Sequence, residues 1–392
     1  MSPTPVTFGL PTQPASYTWE ATDAEVAARY GVPLDQILRF DLNTSPAPPE
    51  LVARLLAAGS FDAPLSEYPP SDYRRLVETA ARVYGVDPDE ILVGAGADEI
   101  LDLIGKAFLP HAGRAVVPTP TYAMYRVVTE QRGATAVLVP RLGPERGYAL
   151  DLDATRLAAR DADVVWLCSP NNPTGLPEPD GMIEALLEAI TADAVAADRS
   201  PAIVVLDEAY AEFVGASLLE LRLRHDNLVV VRTASKAYAL AGLRVGFAIA
   251  RPGTIARIAP YRPPGSVSTI SVTVVTESLA DPRGMQANVA RVDAERERLA
   301  DELRAAGWSV GPTVTNFLLV DFGDAARAAA IATGLLRRGL VPRTFAAEHP
   351  LSHALRLTIR DRAGNDRLIA AAHEIEAETA AGTGDATRHV AP

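Results

Sequence analysis

The sequence predicts an α/β protein built on a mostly parallel, doubly wound sheet, with a smaller α+β unit after it. Three observations lead there. Short apolar runs rich in Val, Ile and Leu recur between about Pro49 and Leu279. They lack the polar alternation of a half-solvated sheet, so both of their faces are covered. Helical stretches separate them, which is how a parallel sheet is wound. At 392 residues the chain is also too long for one ordinary core.

In order, residues 1–48 are an opening segment, with an irregular arm over the first 15 residues and a short helix from Asp23 to Tyr30. Ser45-Pro-Ala-Pro-Pro49 closes it as an extended break. Residues 49–279 form the large unit. Its helices are expected over Glu50–Ala58, Ser71–Tyr84, Asp98–Phe108, Tyr122–Gln131 and Gly181–Ala197. Its strands are expected at Ile91–Val93, Ala115–Val117, Ala136–Val139, Val164–Leu167, Ile203–Leu206, Leu228–Val231 and Val245–Ala250. Pro263-Pro-Gly265 is a turn. A long helical region follows it, with Val292, Leu299 and Leu303 on one face. The smaller unit, residues 280–379, then carries a strand at Phe317–Val320, a helix over Ala325–Arg338, a strand at Leu355–Ile359 and a last helix from Asn365 to about Thr379. Residues 380–392 are small and polar and are expected to be a disordered tail.

Composition narrows the function. A formal net charge of −12 without any Lys/Arg block argues against a polyanionic partner such as nucleic acid. No apolar stretch is long enough for a bilayer, and the N-terminus lacks the basic start and apolar core of a signal peptide. A cytoplasmic, soluble, acidic protein is expected. The single cysteine, Cys168, lies in the apolar run Val164-Val-Trp-Leu-Cys168 and reads as a buried strand residue.

The run Arg232-Thr-Ala-Ser-Lys236-Ala-Tyr-Ala-Leu-Ala-Gly-Leu-Arg244-Val-Gly246 carries the strongest chemical signal. The chain has only two lysines, Lys106 and Lys236, against 35 arginines. A lysine kept inside an apolar segment of so lysine-poor a chain is not a casual surface residue. Behind a predicted buried strand it stands among two hydroxyls, Thr233 and Ser235, and the guanidinium of Arg244. A pyridoxal phosphate site needs this set: an amine to condense with the aldehyde, and hydroxyls and arginine to hold the phosphate.

Further segments fall at strand ends, where ligands bind in open α/β sheets. Gly94-Ala-Gly96-Ala97-Asp98-Glu99 leads from a strand into a helix, whose N–H groups and dipole favour a phosphate. Asp98 alone also reads as an ordinary first-turn acid. Tyr122 follows Pro118-Thr-Pro-Thr and offers a ring to stack on a planar cofactor, or packs in the core. Ser169-Pro-Asn-Asn172-Pro-Thr-Gly175 stiffens an amide that can donate to a phenolate. Asp207, in Asp207-Glu-Ala-Tyr210, ends a buried strand, where a carboxylate can keep a pyridine nitrogen protonated, and Tyr210 can bond the ring phenolate. As a metal pair, Asp207 and Glu208 lack histidine or cysteine partners nearby, so no metal is expected. Arg356 and Arg360, in Leu355-Arg-Leu-Thr-Ile-Arg360, put guanidinium groups on an apolar strand, where they need an anion. Arg343 is a second candidate of that kind. Arg360 either adds a cation for a phosphate or lies past the strand end, and solvent is the expectation.

Taken together these motifs resemble the fold-type I, pyridoxal phosphate-dependent aminotransferases of class I/II, and are most similar to the histidinol-phosphate aminotransferases. The resemblance spans residues 40–375 and keeps the family's motif order. It implies a large cofactor-binding domain and a small domain built from both chain ends. It also implies that Lys236 bonds covalently to the cofactor, that Asp207 pairs with the pyridine nitrogen, and that Asn172 and Tyr210 contact O3′. Tyr122 is then the stacking ring, and the backbone of Ala97 and Asp98, with Thr233, Ser235 and Arg244, holds the phosphate. Tyr68, in Glu67-Tyr68-Pro69, matches the tyrosine such enzymes lend across a homodimer interface to the partner's phosphate. Arg356 matches the substrate-anchoring arginine, Arg343 a second substrate contact, and Asn43 stands in the substrate-contacting segment near the N-terminus. That segment departs from the family, with Leu42-Asn43-Thr-Ser-Pro46 in place of Asn-Glu-Asn-Pro, and Arg360 replaces a usual glycine.

The activity so implied is transamination between an amino acid or amino-alcohol phosphate and a 2-oxo acid, with histidinol phosphate, an intermediate of histidine biosynthesis, as the first-choice donor. Aromatic amino acids are a second choice of donor. A decarboxylase like those of threonine phosphate shares the fold and is the alternative chemistry. A non-catalytic pyridoxal phosphate sensor is disfavoured by the acidic charge and by the lack of a preceding DNA-binding unit.

Overall fold

The structure is a computed structural model that describes residues 15–386. Twelve strands are present among them. β1 is Leu38–Arg39, β2 Ile91–Gly94, β3 Arg114–Thr119, β4 Thr135–Pro140, β5 Val164–Cys168 and β6 Ile203–Asp207. β7 is Leu228–Thr233, β8 Gly246–Ile249, β9 Ser309–Val310, β10 Phe317–Asp321, β11 Leu340–Val341 and β12 Ala354–Thr358.

Seven of these form one sheet in the order β2-β8-β7-β6-β5-β3-β4. Only β8 runs against its neighbours, pairing antiparallel with both β2 and β7. The central strands have no polar face because both faces are packed. Val165, Leu167, Val204, Leu206 and Val230 enter the core on one side of the sheet. Their alternates Val164, Trp166, Val205, Val229 and Val231 enter the core on the other. Covering helices run over Glu50–Ala58, Arg74–Tyr84, Gly96–Phe108, Met124–Gln131 and Met182–Ala196.

A three-stranded antiparallel sheet, β12-β10-β9, makes the smaller α+β unit. Both chain ends build it. β1 pairs in parallel with β11, and Phe40 joins Phe317, Leu355 and Leu357 in a separate core. The helices Arg283–Ala305, Ala325–Arg337 and Arg362–Ala386 cover this core.

Three expectations change. The long helical region is two helices, Thr269–Ala280 and Arg283–Ala305, because Pro282 has no N–H to continue the first ladder and instead starts the second. The last helix runs from Arg362 to Ala386, so residues 380–386 are helix and not a disordered tail. Ala377, Ala380 and Ala381 favour helix past the expected end, and the helix continues over Gly382 and Gly384 in spite of their low propensity; residues 387–392 lie outside the described residues, as do 1–14 of the arm. The helix Leu152–Ala159, opened by the Asp151 side chain accepting from Ala154 N, was not anticipated. No helix among the described residues is long and apolar enough to cross a membrane.

Candidate active site

Strand order reverses at β3. The chain passes from β3 outward to β4, then returns to β5 on the other side. Ligands of open α/β sheets bind at the carboxyl ends of strands beside such a switch. A cavity of about 590 Å³ opens there, within the usual size range of small-molecule sites. It is lined from the ends of β3, β5, β6 and β7, from the helix starting at Gly96, from residues 41–44 and from Arg356 of β12.

Lys236 follows β7 in a turn and is partly buried, with Nζ 3.4 Å from the Leu42 carbonyl and above the Tyr210 ring. Burial lowers its pKa to about 8, and the Arg356 guanidinium adds to the effect. Asp207 ends β6. Its Oδ2 accepts from Tyr125 Oη at 2.8 Å and its Oδ1 from Ala209 N at 3.0 Å. Burial raises this carboxyl to about 6 despite those donors. Tyr210 is buried edge-on to Phe317 and accepts from Asn43 Nδ2 at 3.0 Å. Burial holds its phenol above the ordinary range. Asn43 itself has a positive φ of 53°, and its backbone N–H donates to Thr358 Oγ1.

On the opposite wall Tyr122 Oη donates to Asp98 Oδ1 at 3.0 Å, and Arg244 Nη2 donates to Asp98 Oδ2 at 3.0 Å. Two glycines allow this close approach. A Cβ on Gly246 would come within 2.5 Å of Ala97 N, and one on Gly96 within 2.5 Å of Arg244 Nη2. Glu99 closes the turn by accepting from Ala95 N at 2.5 Å. Thr233 Oγ1 accepts from Ser235 N at 3.1 Å and bonds Ser235 Oγ at 2.9 Å, so the two hydroxyls line one side together.

Arg356 is buried on β12. Its Nη1 donates to Asn172 Oδ1 at 2.6 Å and its Nη2 to the Asp41 carbonyl, while Nε is buried without a partner among the described residues. Arg343 pairs with Arg356 only through the backbone. Its guanidinium lies over the Tyr17 ring and donates to the Thr18 carbonyl at 2.7 Å. It lines an adjoining cavity of about 320 Å³ that shares Tyr17, Trp19, Tyr122, Asn172 and Arg356 with the first.

The sequence-derived set is thus largely gathered in one place. Ala97, Asp98, Tyr122, Asn172, Asp207, Tyr210, Thr233, Ser235, Lys236, Arg244, Arg356 and Asn43 line the same cavity. Tyr68 does not; it is 91% exposed. Arg360 is corrected. It is only partly exposed, donates to the Arg39 carbonyl at 3.0 Å and lies over the Phe40 ring, because the chain turns after β12 and directs it into the smaller unit. Sequence reasoning missed Tyr17 and Trp19, which lie between the arm and the first helix, and Tyr125, whose hydroxyl meets Asp207. A tyrosine on the buried face of a helix needs a partner for its hydroxyl, and that was the available signal for Tyr125.

The donors fit pyridoxal phosphate. A partly buried amine with a single long hydrogen bond suits an aldehyde, a buried carboxylate suits a pyridinium, and a cradle that excludes Cβ atoms, flanked by hydroxyls and a guanidinium, suits a phosphate.

Comparison with known proteins points the same way. A family model described as aminotransferase class I and II matches residues 40–371. A histidinol-phosphate aminotransferase of Roseiflexus castenholzii is 37% identical over 359 residues, which cover 89% of this chain and 92% of that protein. One from Xanthomonas campestris pv. campestris (strain 8004) is 38% identical over 318 residues, covering 79% and 85%. The crystal structure of histidinol-phosphate aminotransferase from Sinorhizobium meliloti in complex with pyridoxal-5′-phosphate aligns with a TM-score of 0.82 at 26% identity, over 92% of this chain and 96% of that one.

Proposed function

The chain belongs to the class I and II aminotransferases, and from that premise we propose that it is a pyridoxal phosphate-dependent transaminase of histidinol phosphate, with a 2-oxo acid as amino acceptor. The observation that carries the reading is the disposition of Lys236 and Asp207. Both line one cavity, each is shifted toward its neutral form by desolvation, and Arg356 stands beside them. The cofactor, when bound, supplies an electrophilic carbon and an electron-withdrawing ring.

The residues divide the remaining work. Lys236, with an acidity near neutrality, is fitted to hold the cofactor and to carry a proton to and from the substrate Cα. Asp207 keeps the ring nitrogen protonated. Asn172 and Tyr210 would hold the phenolic oxygen, and Asn43 orients Tyr210 through their 3.0 Å bond. Tyr122 packs on the ring. The backbone N–H groups of Ala97 and Asp98, with Thr233, Ser235 and Arg244, would hold the phosphate, and Arg244 is already held at that wall by its 3.0 Å bond to Asp98. Tyr68, exposed on its own chain, completes that phosphate site in a second copy within a homodimer. Arg356 and, behind it, Arg343 anchor the substrate anion, and the adjoining cavity walled by Tyr17, Trp19, Tyr122 and Phe345 takes the imidazole end.

The test is a half-reaction panel with histidinol phosphate, aromatic amino acids and threonine phosphate, read by conversion of the cofactor to its amine form and by carbon dioxide release. Fastest conversion with histidinol phosphate is expected. Carbon dioxide from threonine phosphate without conversion would overturn the reading in favour of a decarboxylase.

A further inference from the structure

Next to Asp207, outside the lining of the cavity, lies a buried brace of three side chains. Tyr125 Oη donates to Asp207 Oδ2 at 2.8 Å. The Tyr125 ring stacks on Trp166 at 5.8 Å with an interplanar angle of 5°. Trp166 Nε1 donates to Thr129 Oγ1 at 3.1 Å, and that hydroxyl donates to the Tyr125 carbonyl at 2.7 Å. The loop therefore closes on the helix turn that carries Tyr125. Tyr125, Thr129 and Trp166 are each 0% exposed. Nothing in the geometry requires a hydroxyl here for packing, since the stack would hold a phenylalanine equally well.

We infer that Tyr125 is a positioning residue for the proposed reaction: its hydroxyl fixes Asp207 as an oriented carboxylate, so that the proton shared between Asp207 and the cofactor ring nitrogen stays on the nitrogen. The inference rests on the reading of Asp207 as the ring-nitrogen partner. Its physics is that of a buried carboxylate in competition with a weak base. Burial raises the proton affinity of Asp207. A donor at Oδ2 and another, Ala209 N–H, at Oδ1 lower it and also fix the carboxylate plane. Tyr125 remains a donor at any working pH, because burial and the neighbouring Asp207 charge hold its phenol well above its ordinary value. The Cys168 thiol beside them, pushed up to about 12 by burial, adds no charge.

The test uses holoenzyme loaded with pyridoxal phosphate labelled with ¹⁵N in the ring. The wild type is expected to give the chemical shift of a protonated pyridine. Tyr125→Phe keeps the stack and removes the donor, so its signal should move toward the unprotonated position, with kcat about tenfold to a hundredfold lower, the range of one lost hydrogen bond to a charged group. Thr129→Val, which cuts the brace and leaves the hydroxyl, should shift the signal part of the way, and it decides the matter if Tyr125→Phe does not load. A wild-type ring nitrogen that is itself unprotonated would sink the reading of Asp207. A protonated nitrogen in the wild type and unchanged in both variants would overturn the role of Tyr125 and leave that of Asp207 standing.

Discussion

Arg356 Nη1 donates to Asn172 Oδ1 across 2.6 Å, and this bond joins β12 of the smaller sheet to the loop after β5 of the larger one. Its consequence is that the proposed substrate anchor and the residue proposed for the cofactor's phenolic oxygen are one hydrogen-bonded unit. A substrate anion that engages the guanidinium therefore acts on both walls of the cavity.

Arg356→Lys should be a poor enzyme. It keeps the charge and loses the planar fork, along with the bonds to Asn172 and the Asp41 carbonyl. Truncating a buried charge pair costs about 2–5 kcal/mol, or roughly 30-fold to several-thousand-fold in kcat/KM. Cofactor affinity should change by less than about tenfold, since only Asn172 is shared. Steady-state kinetics with two donors, alongside cofactor titration of the apoenzyme, measure both. A kcat/KM within about twofold of wild type would place the anchor elsewhere.

Lys236→Met should abolish turnover and make the apoenzyme more stable near pH 7. The folded pKa, about 8, lies below the ordinary value of 10.5. Below about 8 the amine is charged in both folded and unfolded chains, and the whole penalty for burying that charge is present. The penalty fades as pH rises from 8 to 10.5 and is gone above. A shift of this size is of order 3 kcal/mol at most. Urea unfolding of wild-type and variant apoenzymes at pH 7 and pH 10 should show the variant's advantage shrinking at the higher pH. An advantage that does not depend on pH would mean the lysine is charged and solvated in the native state.

Cofactor affinity should fall as pH drops below about 6. Asp207 in the apoenzyme has a raised pKa of about 6, so it is a carboxylate above that pH and neutral below it. A ring nitrogen pairs well only with the carboxylate. Asp207→Asn should bind more weakly above pH 6 and lose the inflection. Equilibrium titration of apoenzyme with pyridoxal phosphate between pH 5 and 8 gives the curve, and a flat wild-type profile would contradict the assignment.

Hybrids of two defective chains should regain activity. If Tyr68 serves the partner's site, as its 91% exposure allows, mixing Tyr68→Ala with Lys236→Ala leaves one site with both defects and one with neither. Up to half of the wild-type activity per hybrid is expected, with the active species sedimenting as a dimer. Activity confined to a monomer would exclude a shared site.

What the sequence by itself determined is the chemistry that local order encodes. Apolar runs without polar alternation specified strands packed on both faces, as β5, β6 and β7 are. The strand-end position of Asp207 and the hydroxyl–lysine run after β7 placed reactive groups where a parallel sheet presents them. These features survive because their cause lies within a few residues: side-chain period, turn chemistry, and a helix or strand terminus. What only the tertiary structure decided depends on contacts between distant segments. Asn43 meets Tyr210 across 167 positions, and Arg343 meets Thr18 across 325. Tyr125 reaches Asp207 from another element, and Arg360 turns into the smaller unit onto Phe40. No local pattern encodes such pairings. They arise when two sheets and both chain ends pack together and each buried donor is driven to the nearest acceptor it can reach.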